Sequence, residues 1–343
     1  MDGWRQAARL GCGFARGCAW RLDWGQCTAA RRGAPHLVST FLRAPLYLQP
    51  MAKLDTLLVD GHLTSSNELP AAFANRAFLL ADGVFESMRF TSGHVPFLAL
   101  HVQRLHAALD AHGMNVPNSL QAEVLQTTIQ DWHEKWGLRS DVRIRLTAFR
   151  AGEGAYAPET NDVSWVATAT TMTEEGFGLP AKGLDVDIYQ DLVKHIGALS
   201  KFKNLASTVY IHAARHAAQR GWGDALILNA DQRIIESSRS NLFVVSNGVL
   251  YTPSLDDGCV GGIMRSVLIR TAVDHGVKVY EAALTPQTLL QADELFLTNA
   301  VRGIEWVSSY KTKRYFHAMA EKLADWIQES VEADAATDAV NPT

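Results

Sequence analysis

The chain has 343 residues, of which 47% are hydrophobic, and its formal net charge at pH 7 is −4. This length and composition are typical of a globular protein with room for two domains, and they exclude a disordered chain. The longest uncharged stretch, residues 240–255, is interrupted by Asn, Gly and Pro and is shorter than the roughly 20 apolar residues that a membrane span requires.

The first fifty residues differ in character from the rest. They contain seven arginines, no lysine and three of the four cysteines, and Met51 then opens a sequence of ordinary composition. We interpret residues 1–50 as an extension that adds nothing to the fold, either an organellar transit peptide or the product of an upstream start. Residues 51–343 carry 25 basic and 34 acidic side chains, and this acidic balance argues against nucleic acid as a partner.

Cysteine usage points to a reducing compartment, and histidine spacing gives no sign of a metal site. Residues 51–343 keep only Cys259, which cannot form an internal disulfide, so we expect a cytoplasmic protein, or an organellar one if residues 1–50 are a transit peptide. The twelve histidines show no zinc-type spacing, and we expect no metal site.

Residues 51–171 predict a small α/β domain. Apolar runs, turn signals and helical spacing give its elements in chain order: strands at 56–61 and 76–90 with a turn at Asp82-Gly83, helices at 98–112 and 121–136, and strands at 142–150 and 163–171.

Residues 172–183 have the glycine, proline and charge content of an interdomain linker, and residues 184–331 predict a larger domain. Its expected elements are a strand at 184–189, a helix after Lys201, short strands between 224 and 255, a helix at 264–275, strands at 278–283 and 294–300, and a helix at 315–331. Residues 332–343 are expected to fray.

Three local features could carry chemistry. Lys201 precedes a helical pattern, and Glu236 is a carboxylate at the end of an apolar strand, where it needs a partner. Two glycines precede a helix, so the N–H groups of Ile263 and Met264 could bind an anion. Each also has an ordinary structural interpretation: a solvated lysine, a turn carboxylate and a plain helix start.

Together these features resemble the signature of the class IV aminotransferases, the fold-type IV enzymes that use pyridoxal 5′-phosphate. The matching positions are Glu236, Ser238, Asn241, Leu242, Phe243, Leu250, Thr252, Val260, Gly262, Ile263 and Arg265. The resemblance covers nearly all of residues 51–331 and includes GVFESMR at 83–89, HVQRL at 101–105, KFKN at 201–204 and LTNAVRGIEWV at 297–307.

The resemblance implies an α/β (α+β) protein with the two-domain D-amino-acid-aminotransferase-like fold, in which a small α/β domain joins a larger domain with a β-barrel-like core. It also implies a homodimer whose pockets borrow residues from the neighbouring subunit.

The resemblance further implies roles toward pyridoxal 5′-phosphate. By the family's Lys-x-x-Asn pattern, Lys201 is the amine that bonds to the cofactor aldehyde, and Lys203 is a competitor expected to face solvent or the partner subunit. Glu236 faces the pyridine nitrogen. The expected phosphate-binding groups are Arg104 and the amides of Ile263, Met264, Asn299 and Ala300.

The substrates implied are an amino acid and a 2-oxo acid. Phe85 and Arg89 resemble the pocket segment of the branched-chain branch, Arg145 resembles that branch's arginine for a second carboxylate, and Arg302 is a further candidate for a carboxylate. For each arginine, a surface salt bridge is the alternative interpretation.

Two alternatives stay open. Asn204, the Leu297-Thr298-Asn299 run and the lack of a tyrosine shortly after the lysine resemble aminodeoxychorismate lyase, which forms 4-aminobenzoate and pyruvate. A non-catalytic protein with the same fold would be expected to have lost Lys201, Glu236 or Arg104, and all three are present.

Overall fold

The computed structural model describes residues 53–65, 75–136, 141–174 and 176–340. The predictions for residues 1–50, and for the last three residues of the expected C-terminal tail, lie outside this part of the chain.

The first half of the described chain forms a five-stranded antiparallel sheet in the order β2-β1-β5-β4-β3. Its strands are β1 (Lys53–Val59), β2 (His62–Ser65), β3 (Gly83–Phe90), β4 (Val142–Arg150) and β5 (Val163–Thr171). Its helices are α1 (Arg76–Leu80), α2 (Leu98–Ala111) and α3 (Ala122–Trp136), with a 3-10 turn at Asn118–Leu120.

Strand β4 shows how this sheet is built. Its even-numbered residues from Val142 to Arg150 are buried, while the odd-numbered ones are partly buried or exposed, as the two-residue period of a strand requires. The buried face packs against α2 and α3 in a core that includes Ile144, Leu105 and Ile129. The opposite face of the sheet, which carries the odd-numbered residues of β4, does not belong to this core and can therefore line a site.

The second half forms a nine-stranded sheet. Its strands are β6 (Leu184–Lys194), β7 (Asp224–Asn229), β8 (Ile234–Ser237), β9 (Asn241–Ser246), β10 (Val249–Thr252), β11 (Val279–Glu281), β12 (Glu294–Asn299), β13 (Gly303–Tyr310) and β14 (Lys313–Arg314). Six of them close on themselves in the order β9-β12-β13-β6-β7-β8-β9, which gives a barrel-like core. Apolar side chains pack on both faces of this sheet.

Four helices accompany this sheet: α4 (Thr208–Arg220), α5 (Ile263–Asp274), α6 (Pro286–Gln291) and α7 (Ala318–Val340). The apolar faces of α5 and α7 pack on strands β9 and β12, where the rings of Phe243 and Phe296 stack with centroids 5.2 Å apart. This packing fixes where the N-terminus of α5 lies.

The expected fold class is confirmed: a small sheet with helices accompanies a larger sheet with a closed, barrel-like core. The domain boundaries at 171 and 184 stay predictions.

Two local predictions are wrong. Residues 76–80, expected to be part of a strand, form helix α1, because the Asn75 side chain caps it by accepting the N–H of Phe78. Helix α7 continues past residue 331 to Val340, and Asp334 accepts the N–H of Phe97 at 2.7 Å, so this part of the expected frayed tail is anchored. Among the described helices, none combines the length and the apolar character needed to cross a bilayer.

Candidate active site

The segment that carries the two candidate lysines is joined to the edge strand of the small sheet. The N–H of Phe85 donates to the carbonyl of Lys203 at 2.8 Å, and the N–H of Leu205 donates to the carbonyl of Gly83 at 3.0 Å. These bonds position Lys203 beside β3, where its side chain is partly buried, whereas the Lys201 side chain is exposed.

Charged groups surround Lys203. Burial lowers the pKa of its ammonium to about 8, and the positive charges of Arg104 and Arg145 act in the same direction against the opposing carboxylates of Glu86 and Glu236. Lys203 therefore holds its proton less tightly than a solvated lysine. Its amine interacts electrostatically with two arginines and two carboxylates.

The expectation that Lys203 faces solvent is corrected by this geometry. Lys201 instead contributes its backbone, because its carbonyl accepts the N–H of Gly261 at 2.9 Å. Asn204, on which the spacing argument for Lys201 depended, closes the local turn by donating to the carbonyls of Leu199 at 2.8 Å and Phe202 at 3.3 Å. The site thus brings together Lys203, and not the Lys201 amine, with the other predicted residues.

Glu236 is buried and has three donors. Its Oε1 accepts from Lys194 Nζ at 2.7 Å and from the Tyr210 hydroxyl at 2.8 Å, and its Oε2 accepts from the N–H of Val260 at 2.9 Å. The predicted need for a partner is met, but neither Lys194 nor Tyr210 was expected. No local pattern marks Lys194, which ends strand β6, as a partner of β8.

A second buried carboxylate, Glu86 on β3, holds Arg104. Both Nε and Nη2 of Arg104 donate to it, with an Nε–Oε1 distance of 2.7 Å, and His101 Nδ1 lies 2.8 Å from Oε2. Burial alone would raise the pKa of Glu86, but the charge of Arg104 and the hydrogen bond from His101 outweigh it and lower the pKa to about 2. Burial lowers the pKa of His101.

Arg104 connects this pair to the start of helix α5. Its Nη1 donates to the carbonyl of Gly261 at 2.8 Å, so the guanidinium lies next to the glycine pair that precedes the helix. Three of its five N–H donors are occupied by the named contacts, which leaves two for an anion. Among the described residues, the amides of Ile263 and Met264 have no acceptor.

Gly262 is packed against Asn241 at the helix start. A Cβ at this position would lie 1.9 Å from Oδ1 of Asn241, whose Nδ2 donates to the carbonyl of Val260 at 2.7 Å. Only a glycine fits here unless Asn241 or the helix start moves. The predicted group of Arg104, Ile263 and Met264 therefore converges on one small region.

The loop after β12 was predicted to bind the phosphate through the amides of Asn299 and Ala300, but the Asn299 side chain has a structural role. The Asn299 side chain accepts the N–H groups of Val301 at 3.0 Å and Arg302 at 2.9 Å and donates to Ser240 Oγ at 2.9 Å. Asn299 thus shapes the loop. In the described chain, the amide of Ala300 keeps no acceptor and is the loop N–H available to a ligand.

Three hydrogen bonds tie Arg89 to protein groups. Its Nε donates to Asp141 Oδ2 at 2.6 Å, its Nη1 donates to the carbonyl of Val301 at 3.1 Å, and its Nη2 donates to the carbonyl of Glu174. Because Arg89 is also buried, it cannot turn toward a substrate without breaking this network. The structure therefore places it under the loop, and its predicted contact with a substrate is corrected.

Arg145 lies on the open face of the small sheet with Phe85. Its Cζ is 3.8 Å from the centre of the Phe85 ring, and Lys203 Nζ is 5.2 Å from the same centre. The two cations are therefore no more than about 9 Å apart. Arg302 follows Val301 in the loop that Arg89 holds, and its Nη1 is 3.7 Å from Glu305 Oε1.

These features define a site with a partly buried amine, a hydrogen-bonded carboxylate and a helix start whose first amides are free among the described residues. The sequence model described as amino-transferase class IV matches residues 83–310, which include all of them. The chain belongs to the class IV aminotransferase family, whose enzymes are pyridoxal phosphate-dependent aminotransferases or lyases.

Relatives with different activities resemble the chain to similar degrees. It is 24% identical to an aminodeoxychorismate lyase of Vibrio harveyi, over 68% of this chain and 85% of the lyase. It is 24% identical to a D-alanine aminotransferase of Listeria monocytogenes, over 71% of this chain and 83% of that enzyme.

A solved structure supports the fold. The branched-chain aminotransferase of Thermoproteus uzoniensis with norvaline aligns with a TM-score of 0.73 and 24% identity, covering 82% of this chain and 96% of that one. Sequence identity therefore gives the family and the fold, and it does not select a substrate.

Proposed function

We propose that the protein transfers an amino group between an amino acid and a 2-oxo acid, using pyridoxal 5′-phosphate, with Lys203 as the catalytic amine. The observation that carries this proposal is the position of Lys203, partly buried and close to Arg104 and Glu236, with its pKa lowered to about 8. The Lys201 side chain is exposed to solvent, with its Nζ 5.3 Å from the centre of the Phe202 ring.

The donor set fits this cofactor. A phosphate dianion suits the two free donors of Arg104 and the open amides of Ile263 and Met264, where the helix dipole adds to the attraction. Glu236, a buried carboxylate whose Oε1 lies 2.7 Å from Lys194 Nζ, suits a protonated ring nitrogen. Gly262 is proposed to hold the start of α5 in place for the phosphate, since a Cβ there would displace Asn241 or shift the helix start.

When bound, the cofactor supplies an aldehyde for the lysine amine and a ring that stabilises negative charge at the substrate Cα. Lys203 is suited to bond with that aldehyde because a lysine with a pKa near 8 loses its proton at moderate cost. The same amine can take a proton from the substrate Cα and give a proton back at a later step of the reaction. A pKa of about 8 suits both roles, because it is close to neutral pH.

Other residues position and orient the reacting groups. Glu86 holds Arg104 through two donors and keeps the guanidinium charge in place. Arg145 and Lys203 both contact the Phe85 ring, which is proposed to limit the approach of a substrate. Arg145 is proposed to bind a substrate carboxylate, and the free amide of Ala300 to assist at the phosphate or at that carboxylate.

A second candidate is aminodeoxychorismate lyase activity. It is supported by similarity to the Vibrio harveyi lyase at the same 24% identity as the D-alanine aminotransferase, and by the run Leu297-Thr298-Asn299. In this reaction Lys203 would have the same role as proton carrier, and pyruvate would leave without a second substrate.

One experiment separates these activities. The protein, purified with pyridoxal 5′-phosphate, is incubated with L-leucine or D-alanine plus 2-oxoglutarate, and separately with aminodeoxychorismate and no acceptor. Transamination predicts glutamate from the first reactions, whereas the lyase predicts 4-aminobenzoate and pyruvate from the last. Lys203→Ala should abolish the product and Lys201→Ala should retain it. Full activity in Lys203→Ala would reject the proposal.

A homodimer, supported by the family resemblance, and a cytoplasmic location, supported by the single cysteine of residues 51–343, are further parts of this proposal. Sedimentation of the purified protein tests the first, and fractionation of cells tests the second.

A further inference from the structure

Helix α2, which carries Arg104, begins without a capping group of its own. Its N-cap residue, Phe97, has a left-handed backbone with φ at 58° and, within the described chain, gives the helix no side-chain hydrogen bond. The first turn, residues 98–101, contains no acid. A left-handed conformation is unfavourable for a bulky residue, and an uncapped N-terminus leaves free N–H groups. This helix start therefore depends on groups from elsewhere in the fold.

Asp334, near the end of α7, supplies such a group. Its Oδ2 accepts the N–H of Phe97 at 2.7 Å, although the two residues are 237 positions apart in the chain. A carboxylate at this end of a helix is also attracted by the positive end of the helix dipole. Asp334 therefore stabilises the start of α2 from a helix in the other half of the chain.

Apolar packing supports the same contact. Phe97 and Leu100 are partly buried and pack against the core cluster to which Ile327 and Val331 of α7 belong. The fully buried residues of α2, such as Val102, belong instead to the core of the small sheet. Helix α2 thus contacts the large-sheet core with one face and the small-sheet core with the other.

Arg104 lies on the face of α2 that is directed toward the larger sheet and its helices. It follows Leu100 by four residues, which places both side chains on one side of the helix. Its Nη1 there donates to the carbonyl of Gly261 at 2.8 Å. Seven residues separate Arg104 from Phe97, about 10 Å along the helix axis. A shift of the helix start would therefore move the guanidinium as well.

Helix α7 also contacts the helix that supplies the other phosphate donors. Its N-terminus is capped by the buried carboxylate of Glu294, which accepts the N–H groups of Met319 at 2.9 Å and Ala320 at 3.1 Å. Further along α7, the rings of Trp326 and His275 stack with centroids 4.0 Å apart, beside the end of α5. One helix thus positions both α5, which begins with the free amides, and α2, which carries the arginine.

We propose that Asp334 is a positioning residue for the cofactor phosphate: through the start of α2, it keeps the guanidinium of Arg104 beside the first amides of α5. The role assigned to Asp334 rests on the proposed function, since it takes pyridoxal 5′-phosphate as the ligand of Arg104. It gives a function to the part of α7 that extends beyond residue 331.

The test compares pyridoxal 5′-phosphate with pyridoxal, which lacks the phosphate. Each is titrated into the purified full-length protein and followed by fluorescence. Asp334→Ala should weaken binding of pyridoxal 5′-phosphate about fivefold and change binding of pyridoxal by less than about twofold, because only the first ligand uses Arg104. Asp334→Asn keeps an acceptor for the Phe97 N–H and should restore the affinity to within about twofold of the unchanged protein.

Asp325→Ala is the matched control, because Asp325 is an exposed aspartate on the same helix, and it should leave both affinities unchanged. A double variant tests whether the effect passes through Arg104. Arg104→Lys alone should weaken binding of pyridoxal 5′-phosphate, since lysine lacks the guanidinium fork. Adding Asp334→Ala should then weaken it by less than about twofold more, and fully additive losses would overturn the positioning role.

The remaining outcomes separate this role from the proposed function. Unchanged affinities in Asp334→Ala, or equal losses for pyridoxal 5′-phosphate and pyridoxal, would overturn the role of Asp334 while the proposed function stood. If the unchanged protein bound the two ligands equally well, the phosphate site itself would fail, and the role of Asp334 would fail with it.

Discussion

The N–H of Phe85 and the carbonyl of Lys203 are joined by a 2.8 Å hydrogen bond, and the same lysine's Nζ lies 5.2 Å from the centre of the Phe85 ring. Strand β3 thus contacts both the backbone and the amine of this lysine. Since β3 also carries Glu86, which holds Arg104, one strand positions the amine and the guanidinium proposed to bind the phosphate.

Lys203 should make the stability of the cofactor-free protein depend on pH. The pKa of Lys203 falls from 10.5 to about 8 on folding, so between these values the unfolded chain holds a proton that the folded chain has released. The free energy of unfolding should therefore rise with pH across this window, by on the order of 2 kcal/mol. Denaturant unfolding of the protein and of Lys203→Met at pH 7.5 to 10.5 measures it, and an equal slope in both proteins would contradict the assignment.

Glu86→Gln should destabilise the protein and weaken its hold on phosphate. Removal of one partner of a buried ion pair leaves Arg104 uncompensated and costs about 3 kcal/mol at pH 7. Because the pKa of Glu86 is lowered from 4.5 to about 2, its contribution is complete above pH 4.5 and is lost as pH falls toward 2.

Urea unfolding at pH 7 and pH 3.5 checks this, with Glu134→Gln on the exposed side of α3 as control. The difference in the free energy of unfolding between Glu86→Gln and the unchanged protein should be smaller at the lower pH. A gap that stays constant or widens would show that the carboxylate is not held ionised by Arg104.

Gly262→Ala should weaken cofactor binding. A Cβ would lie 1.9 Å from Asn241 Oδ1, so the side chain must move, its bond to the carbonyl of Val260 must break, or the start of α5 must shift. Affinity for pyridoxal 5′-phosphate, measured by fluorescence titration, should fall at least about tenfold. Gly178→Ala, which meets nothing within 4 Å, should bind normally, and normal binding by Gly262→Ala would disprove the role of the glycine.

Arg89 and Arg145 should separate by phenotype. Arg89→Met removes the cation paired with buried Asp141, which keeps the N–H of Gly176 as a donor, and it releases the Val301 loop. It should therefore lower the free energy of unfolding by about 3 kcal/mol or more. Arg145→Met breaks no hydrogen bond or ion pair within the described chain and should instead raise the substrate KM with little change in stability. Thermal unfolding and steady-state kinetics of both variants test this. A stability loss in Arg145→Met with only a raised KM in Arg89→Met would contradict both assignments.

Much of the fold could be predicted because burial alternates regularly. The bounds of β4 and β5 agree with the sequence prediction since every second side chain faces the core. Residues 76–80 read as a strand because they are apolar, but Asn75 caps a helix there and Phe78 and Leu79 stay exposed. Apolar content alone could not reveal that local hydrogen bond.

The candidate site was predictable only where sequence neighbours form it. The glycine pair and the helix after it lie in one segment, so their geometry followed from local rules. Lys201 and Lys203 flank Phe202, and only the pairing of this segment with β3 decides which amine enters the site. Lys194 reaches Glu236 across 42 positions of chain, which no spacing rule could show.

The most direct test of the account is the identity of the lysine that bonds to the cofactor. The protein loaded with pyridoxal 5′-phosphate is reduced with borohydride, which fixes the cofactor to the lysine it is linked to, and the modified peptide is sequenced by mass spectrometry. The account predicts the label on Lys203. A label on Lys201 or Lys194, or on no lysine, would contradict it.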